Sequence, residues 1–225
     1  MINIAIDGPG GAGKSTISRQ LAKELGYVYV DTGALYRAVG LYCVRKGINI
    51  KEEAAVAAVL NEVFLSLTFF DGEQHVILNG EDVSKAIRLP EISMAASAVS
   101  AIPAVRAFLF QLQKDIAKKS NCIMDGRDIG TVVLPEAQVK IFLTAAPEDR
   151  AMRRFEELKM KGISADYETV LAELVERDRQ DTSRAAAPLK PAPDAVLVDT
   201  TGNCFETSVG ILKEIILKNI NREGQ

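Results

Sequence analysis

The sequence is 225 residues long, 48% hydrophobic, with 27 Lys and Arg against 30 Asp and Glu, a formal net charge of −3; that balance argues against bulk nucleic-acid binding, which would want a basic face. Three scattered cysteines (Cys43, Cys122, Cys204) and a single histidine, His75, argue against zinc and fit packing roles in a reducing cytosol, and no apolar run reaches the ~18 residues of a membrane span. The expectation is a soluble, cytoplasmic, monomeric α/β protein with no nucleic-acid or membrane partner.

In chain order, residues 2–6 read as a short buried strand; Asp7 interrupts this apolar stretch, so no signal peptide is expected. Then comes Gly8-Pro9-Gly10-Gly11-Ala12-Gly13-Lys14-Ser15, which satisfies G-x-x-x-x-G-K-[ST] in full. Residues 16–25 follow as a helix, with Ile17, Leu21 and Leu25 at intervals of four. Glycines let the backbone curl so that successive N–H groups and the helix N-terminus converge on a phosphate. Lys14 adds a charge for the β- and γ-phosphates, and the Ser15 hydroxyl can ligate Mg²⁺. An ordinary glycine-rich turn would share the composition, but not all four fixed positions between a strand and a helix. The expected ATP-binding residues are Gly8 to Ser15 together with Thr16.

Residues 27–30 are expected as a second strand, 34–46 as a helix stopped by Gly47, and 51–63 as an alanine-rich helix. From 64 to 83 the period changes to two, with Asp71-Gly72 and Asn79-Gly80 as turn signals, which predicts a small antiparallel meander inserted in the α/β frame. His75 falls in it and reads as a solvated or packed strand histidine, since no partner is evident. Residues 90–120 are helical, broken near Ile102-Pro103. Strands follow at 122–125 and 139–143, then an Arg-rich helix from Pro147 to Gly162 and another over 166–179. A polar, Pro-rich link over 181–193 leads to a strand at 195–199. Asn203 and Glu206 have capping-box spacing before a last amphipathic helix ending near Ile220. Five apolar strands separated by helices predict a doubly wound parallel five-stranded sheet, with ligands at its carboxyl edge.

Three polar clusters follow strand ends. In Asp31-Thr32-Gly33-Ala34-Leu35-Tyr36-Arg37, Thr32 and Arg37 can donate to an anion, or the segment is an ordinary helix cap with a surface arginine. In Asp125-Gly126-Arg127-Asp128, Asp125 follows apolar residues as a Walker-B carboxylate would and could hold Mg²⁺ through water; Asp128 is either a site residue or a turn residue in a salt bridge. The run from Glu176 to Arg184 is a mixed charge cluster of the kind that usually faces solvent.

Together, GPGGAGKS, DTGALYR, DGRD followed by Ile129-Gly130-Thr131, the segment from Asn79 to Ser84 and ERDRQDTSR resemble the bacterial cytidylate kinases, over about residues 4–198. The resemblance implies a P-loop nucleoside monophosphate kinase spanning 1–225, with a nucleotide-binding insert at 64–90 and a lid at 148–163, transferring the γ-phosphoryl group of ATP to CMP or dCMP. It implies that Thr32, Arg37, Arg127 and Arg184 contact the substrate phosphate, with Asp31, Gly33 and Tyr36 beside them. Ser97, Arg106 and Asp128 would face the cytosine, Asp181 the ribose, and Arg177 the sugar and phosphate. Family members often carry Ser where Thr32 stands. Lys14, Arg127, Arg184 and the lid arginines Arg153 and Arg154 would act in catalysis, one or more of Arg150, Arg153 and Arg154 reaching the γ-phosphate on closure. The chemistry is consistent: cytosine has an amine at position four that a carboxylate can accept, a phosphate dianion suits forked guanidinium donors, and phosphoryl transfer needs alignment and charge neutralisation more than a general base. Rivals are a kinase of the same superfamily acting on another metabolite, and a GTP-dependent switch, whose N-K-x-D element does not occur in this sequence.

Overall fold

The computed structural model describes residues 1–70 and 73–223. The expected Asp71-Gly72 turn lies outside them. By its internal contacts the chain forms two compact units: residue 1 with Val28–Cys122, and Ile2–Tyr27 with Ile123–Gln225.

The second unit carries β1 (Asn3–Asp7), α1 (Lys14–Leu25) and, after the first unit's residues, β6 (Cys122–Gly126), β7 (Val139–Thr144), α6 (Pro147–Met160), α7 (Tyr167–Ser183), β8 (Val196–Asp199) and α8 (Phe205–Glu223). With β2 (Val28–Asp31) these strands make the expected five-stranded parallel sheet, in the order β2-β6-β1-β7-β8. Register is explicit where β1 meets β7, with Ile4 opposite Val139 and Asp7 opposite Phe142. Both strands are buried along their length, β1 on both faces and β7 on alternate residues, as a sheet covered by helices requires. α6 and α7 pack on one another through Ala151, Leu158, Val170 and Leu174.

The first unit contains α2 (Thr32–Arg45), α3 (Glu53–Val59), the meander β3 (Leu65–Phe70), β4 (Glu73–Leu78) and β5 (Glu81–Asp82), then α4 (Pro90–Ser100) and α5 (Pro103–Lys119). Its core joins Leu35, Val39, Val76, Ile87, Ile92, Val99 and Leu109. α2 and α4 approach closely at Gly40, where a Cβ would stand 3.1 Å from that of Ala95. The Asn79-Gly80 turn has positive φ at both residues, 49° and 87°, the geometry a tight two-residue hairpin demands. Among the described residues no single helix is long and apolar enough to cross a membrane.

Several boundaries differ from the sequence expectation for identifiable reasons. The helix expected over 51–63 ends at Val59 and tightens into a 3₁₀ turn at Leu60–Glu62. α7 runs to Ser183, so Asp181 belongs to the helix and not to the following link. α8 starts at Phe205, which puts Cys204 before its first turn instead of Asn203. His75 does have a partner: its Nδ1 lies 2.8 Å from Asp82 Oδ2 across the meander.

Candidate active site

In the second unit, the loop between β1 and α1 is shaped by glycines. Gly8 has φ 149° and its Cβ would fall 1.9 Å from the Leu143 carbonyl oxygen, so no side chain fits where the loop leaves the sheet. Lys14 opens α1 and turns its ammonium back over the loop, donating to the Gly8 and Pro9 carbonyls at 2.7 Å each. Burial pulls its pKa well below the lysine range, Arg127 and Arg177 push the same way, and Asp125 and Asp7 oppose them. Arg127 and Arg177 lean towards Gly10: a Cβ there would stand 3.6 Å from Arg127 Nη2 and 3.9 Å from Arg177 Nη1. Beside Lys14, the Ser15 hydroxyl donates to Asp125 Oδ2 at 2.9 Å. The structure thus brings together the two residues expected to hold a metal.

At the end of β6, Asp125 and Asp128 are each 4% exposed. Arg127 Nε donates to Asp181 Oδ2 at 2.8 Å, and Arg184 lies 3.8 Å from both Asp128 and Asp181. Burial works against the Asp181 charge, but Arg127 and Arg177 outweigh it and hold the carboxyl below its usual range. Four expected site residues, from two segments more than fifty positions apart in sequence, therefore form one buried ionic group. The charge run 176–184 also divides by burial: Arg179 pairs with Glu176 on the surface, while Asp181 and Arg184 are inward.

Of the α6 arginines, Arg150 is 3% exposed. It donates to Gly10 O at 3.0 Å, Ala145 O at 2.8 Å and Asp178 Oδ2 at 2.6 Å. Arg153 donates to Thr200 O at 2.7 Å and Arg154 to Glu157 at 2.7 Å.

In the first unit, Asp31 caps α2 by accepting the Ala34 N–H at 3.0 Å, and its second oxygen meets Arg88 at 2.8 Å. Burial opposes its charge, yet Arg88 and Arg37 keep its carboxyl low. The structure thus shows the helix-cap alternative for this segment. The Gln74 side chain of the meander accepts the Asp31 N–H at 2.8 Å and donates to its carbonyl at 3.3 Å. The Arg106 guanidinium sits 5.7 Å from the centre of the Tyr36 ring, within cation–π range, and donates to Ser100 O at 3.2 Å; Ser100 in turn donates to the Ser97 carbonyl at 2.8 Å. Sequence reasoning missed Asp7, Gln74, Arg88, Arg150 as a partner of the loop, and Asp178. Only Asp7 left a local signal, an acid closing an apolar strand.

A family model described as cytidylate kinase matches residues 4–221. The cytidylate kinase of Caldicellulosiruptor bescii is 50% identical over 222 residues, covering 99% of this chain and 98% of that one. The cytidylate kinase of Pasteurella multocida is 45% identical over 205 residues, covering 91% and 90%. Among solved structures, an uncharacterized protein from Eubacterium ventriosum matches with TM-score 0.52 at 12% identity, covering 95% of this chain and 97% of that one, a likeness of fold alone.

Proposed function

Because the chain belongs to the cytidylate kinase family, we infer that it transfers the γ-phosphoryl group of ATP to CMP and dCMP, giving CDP and dCDP. The observation that carries this reading is the buried group Arg127–Asp181–Arg184–Asp128 in the same unit as a complete phosphate loop. A switch protein needs the loop; an acceptor kinase also needs arginines for a second phosphate and a carboxylate for a base.

On the donor side, the loop N–H groups and Lys14 hold the ATP phosphates. Lys14 exchanges its bonds to Gly8 and Pro9 for phosphate oxygens, and the added negative charge offsets the burial that now depresses its pKa. The Ser15 hydroxyl and Asp125 carboxylate, in mutual contact, are oxygen donors of the kind Mg²⁺ takes. Among the described residues no group of three or more His, Cys, Asp or Glu could hold a metal by itself, which suits an ion carried largely by nucleotide phosphates. When bound, the ion neutralises charge on the transferring group.

On the acceptor side, Arg127 and Arg184 take the CMP phosphate with Arg37 and Thr32, Asp181 takes the ribose, and Arg177 serves sugar and phosphate. Asp128 accepts from the cytosine amine, while Ser97 and Arg106 satisfy its ring acceptors. Asp31 and Gly33 shape the start of α2, and Tyr36 supports Arg106. Residues 148–163 act as the lid, from which one or more of Arg150, Arg153 and Arg154 reach the γ-phosphate as closure excludes water; residues 64–90 form the nucleotide-binding insert. The reading places the chain in pyrimidine nucleotide metabolism, as a cytoplasmic monomer. The test is steady-state turnover with Mg²⁺/ATP and a panel of CMP, dCMP, UMP and AMP. CMP and dCMP are expected to be the preferred acceptors; no ATP consumption with either refutes the assignment.

A further inference from the structure

Asp7 has no part in the chemistry described so far, yet it is 4% exposed at the end of β1, one residue before the phosphate loop. Its two carboxylate oxygens take two different backbone donors: Oδ1 accepts the Ile129 N–H and Oδ2 the Gly130 N–H, both at 2.8 Å. Ile129 directly follows Asp128. The peptide between them is held from both ends, because the Asp128 carbonyl accepts from Val132 and Val133 at 2.9 and 3.2 Å. Asp128 itself has an irregular backbone, φ −148° and ψ 25°, so nothing in a regular element orients it. The π turn Ile129–Val133 supplies one side of the grip and Asp7 the other.

Gly130 is part of the same arrangement. A Cβ there would stand 3.2 Å from Lys140 Cδ and 3.4 Å from Asp7 Oδ2, so the backbone at Gly130 and the carboxylate pack against each other. Hydrogen bonds to an ionised acceptor are roughly twice as strong as neutral ones, and burial excludes water as a substitute for Asp7. Burial, with Asp128 adding to it, raises the Asp7 carboxyl to about 6 against the two N–H donors and Lys14. Near neutral pH both oxygens therefore remain acceptors.

We propose that Asp7 is a positioning residue for base selection: by gripping the peptide after Asp128 it fixes the direction of the Asp128 carboxylate and so sets the preference for cytosine over uracil. This rests on the reading of Asp128 as the acceptor for the cytosine amine. Asp7→Asn preserves size but offers one acceptor and turns an amide NH₂ towards the other N–H. Loss of one charge-assisted bond corresponds to roughly tenfold or more. Expected is a fall of about tenfold in kcat/KM for CMP, little change for UMP, an unchanged KM for ATP, and hence a CMP:UMP ratio reduced about tenfold. Asp7→Ser, which removes the charge and one of the two acceptors, should reduce the same ratio and carries the readout if the asparagine variant does not fold. Asp128→Ala is measured alongside. If it leaves the ratio unchanged, Asp128 does not read the base and the proposal falls with that assignment. If Asp128→Ala collapses the ratio while the folded Asp7 variant lowers CMP and UMP turnover equally, or lowers neither, Asp7 is only a structural anchor and the proposal is overturned.

Discussion

Replacing Asp181 by Asn tests the ionic group at the end of β6 without opening a cavity. Asp181 and Arg184 side chains are each 6% exposed and Arg127 17%, so solvent screens the group weakly. Wild-type Asp181 accepts from Arg127 and lies beside Arg184, and both Arg127 and Arg177 hold its pKa down. In Asp181→Asn the Arg127 Nε can still find an acceptor, but three guanidiniums lose the charge that balances them. Removing one partner of a buried ion pair costs about 3–5 kcal/mol, and the retained hydrogen bond argues for the lower end. For a chain of this size ~3 kcal/mol corresponds to a fall in Tm of about 6–12 °C. Inorganic phosphate supplies negative charge without a ribose, so millimolar phosphate should raise the variant's Tm more than the wild type's. Thermal melting followed by circular dichroism, with and without phosphate, measures both. A Tm within ~2 °C of wild type, or equal protection of the two proteins by phosphate, would refute the claim that Asp181 balances these arginines.

Lys14→Met should lower kcat by about 10²–10³ with every acceptor, the scale of losing one charged donor to a developing oxyanion; near-normal turnover in a coupled assay would mean the loop binds ATP without catalysing. Asp7, raised from 3.8 to about 6, keeps its proton in the folded chain between pH 4 and 6 while the unfolded chain releases it, so its stabilising contribution is complete below about pH 4 and is lost as pH rises through 6, by roughly 3 kcal/mol. Burial and Asp128 cause the shift, Lys14 and the two N–H groups oppose it, and the nearby Lys140 pairs with Asp194; denaturant curves of Asp7→Asn should therefore gain on wild type from pH 4.5 to 7, and parallel curves would contradict the assignment. Since Arg127 and Arg177 help depress Lys14, an anion on those arginines relieves Lys14, and reciprocity requires ATP and CMP to tighten one another's binding. Calorimetry of CMP with and without a non-hydrolysable ATP analogue checks this, and identical affinities would exclude the coupling.

What could be read from the sequence was whatever local backbone geometry dictates. The phosphate loop is legible because its glycines answer to distances of the order seen at Gly8, where no Cβ fits, and Asn79-Gly80 because only such residues take two consecutive positive φ angles easily. β1 and β6 were legible because burial on both faces leaves a short unbroken apolar run in each. Boundaries failed where a distant partner overrode a local signal. The polar stretch from Asp181 reads as the start of a link, but Arg127, 54 positions away, holds Asp181 inside α7. His75 reads as partnerless because Asp82, which pairs with Ile77, comes within its reach only when β5 folds back on β4.

The same limit explains which site residues were missed. Gln74 reaches Asp31 over 43 positions and Arg150 reaches Gly10 over 140, and neither side chain carries a spacing that announces its target. Asp7 is the instructive case. Locally it is an acid that breaks a hydrophobic strand, and burying it raises its pKa to about 6, so the fold bears a cost that packing alone would remove with an apolar residue. A buried charge that is unfavourable for the strand and satisfied by backbone far along the chain needs a reason outside stability. Its two hydrogen bonds hold the backbone N–H groups of Ile129 and Gly130, the two peptides that follow Asp128, and that is the reason proposed above.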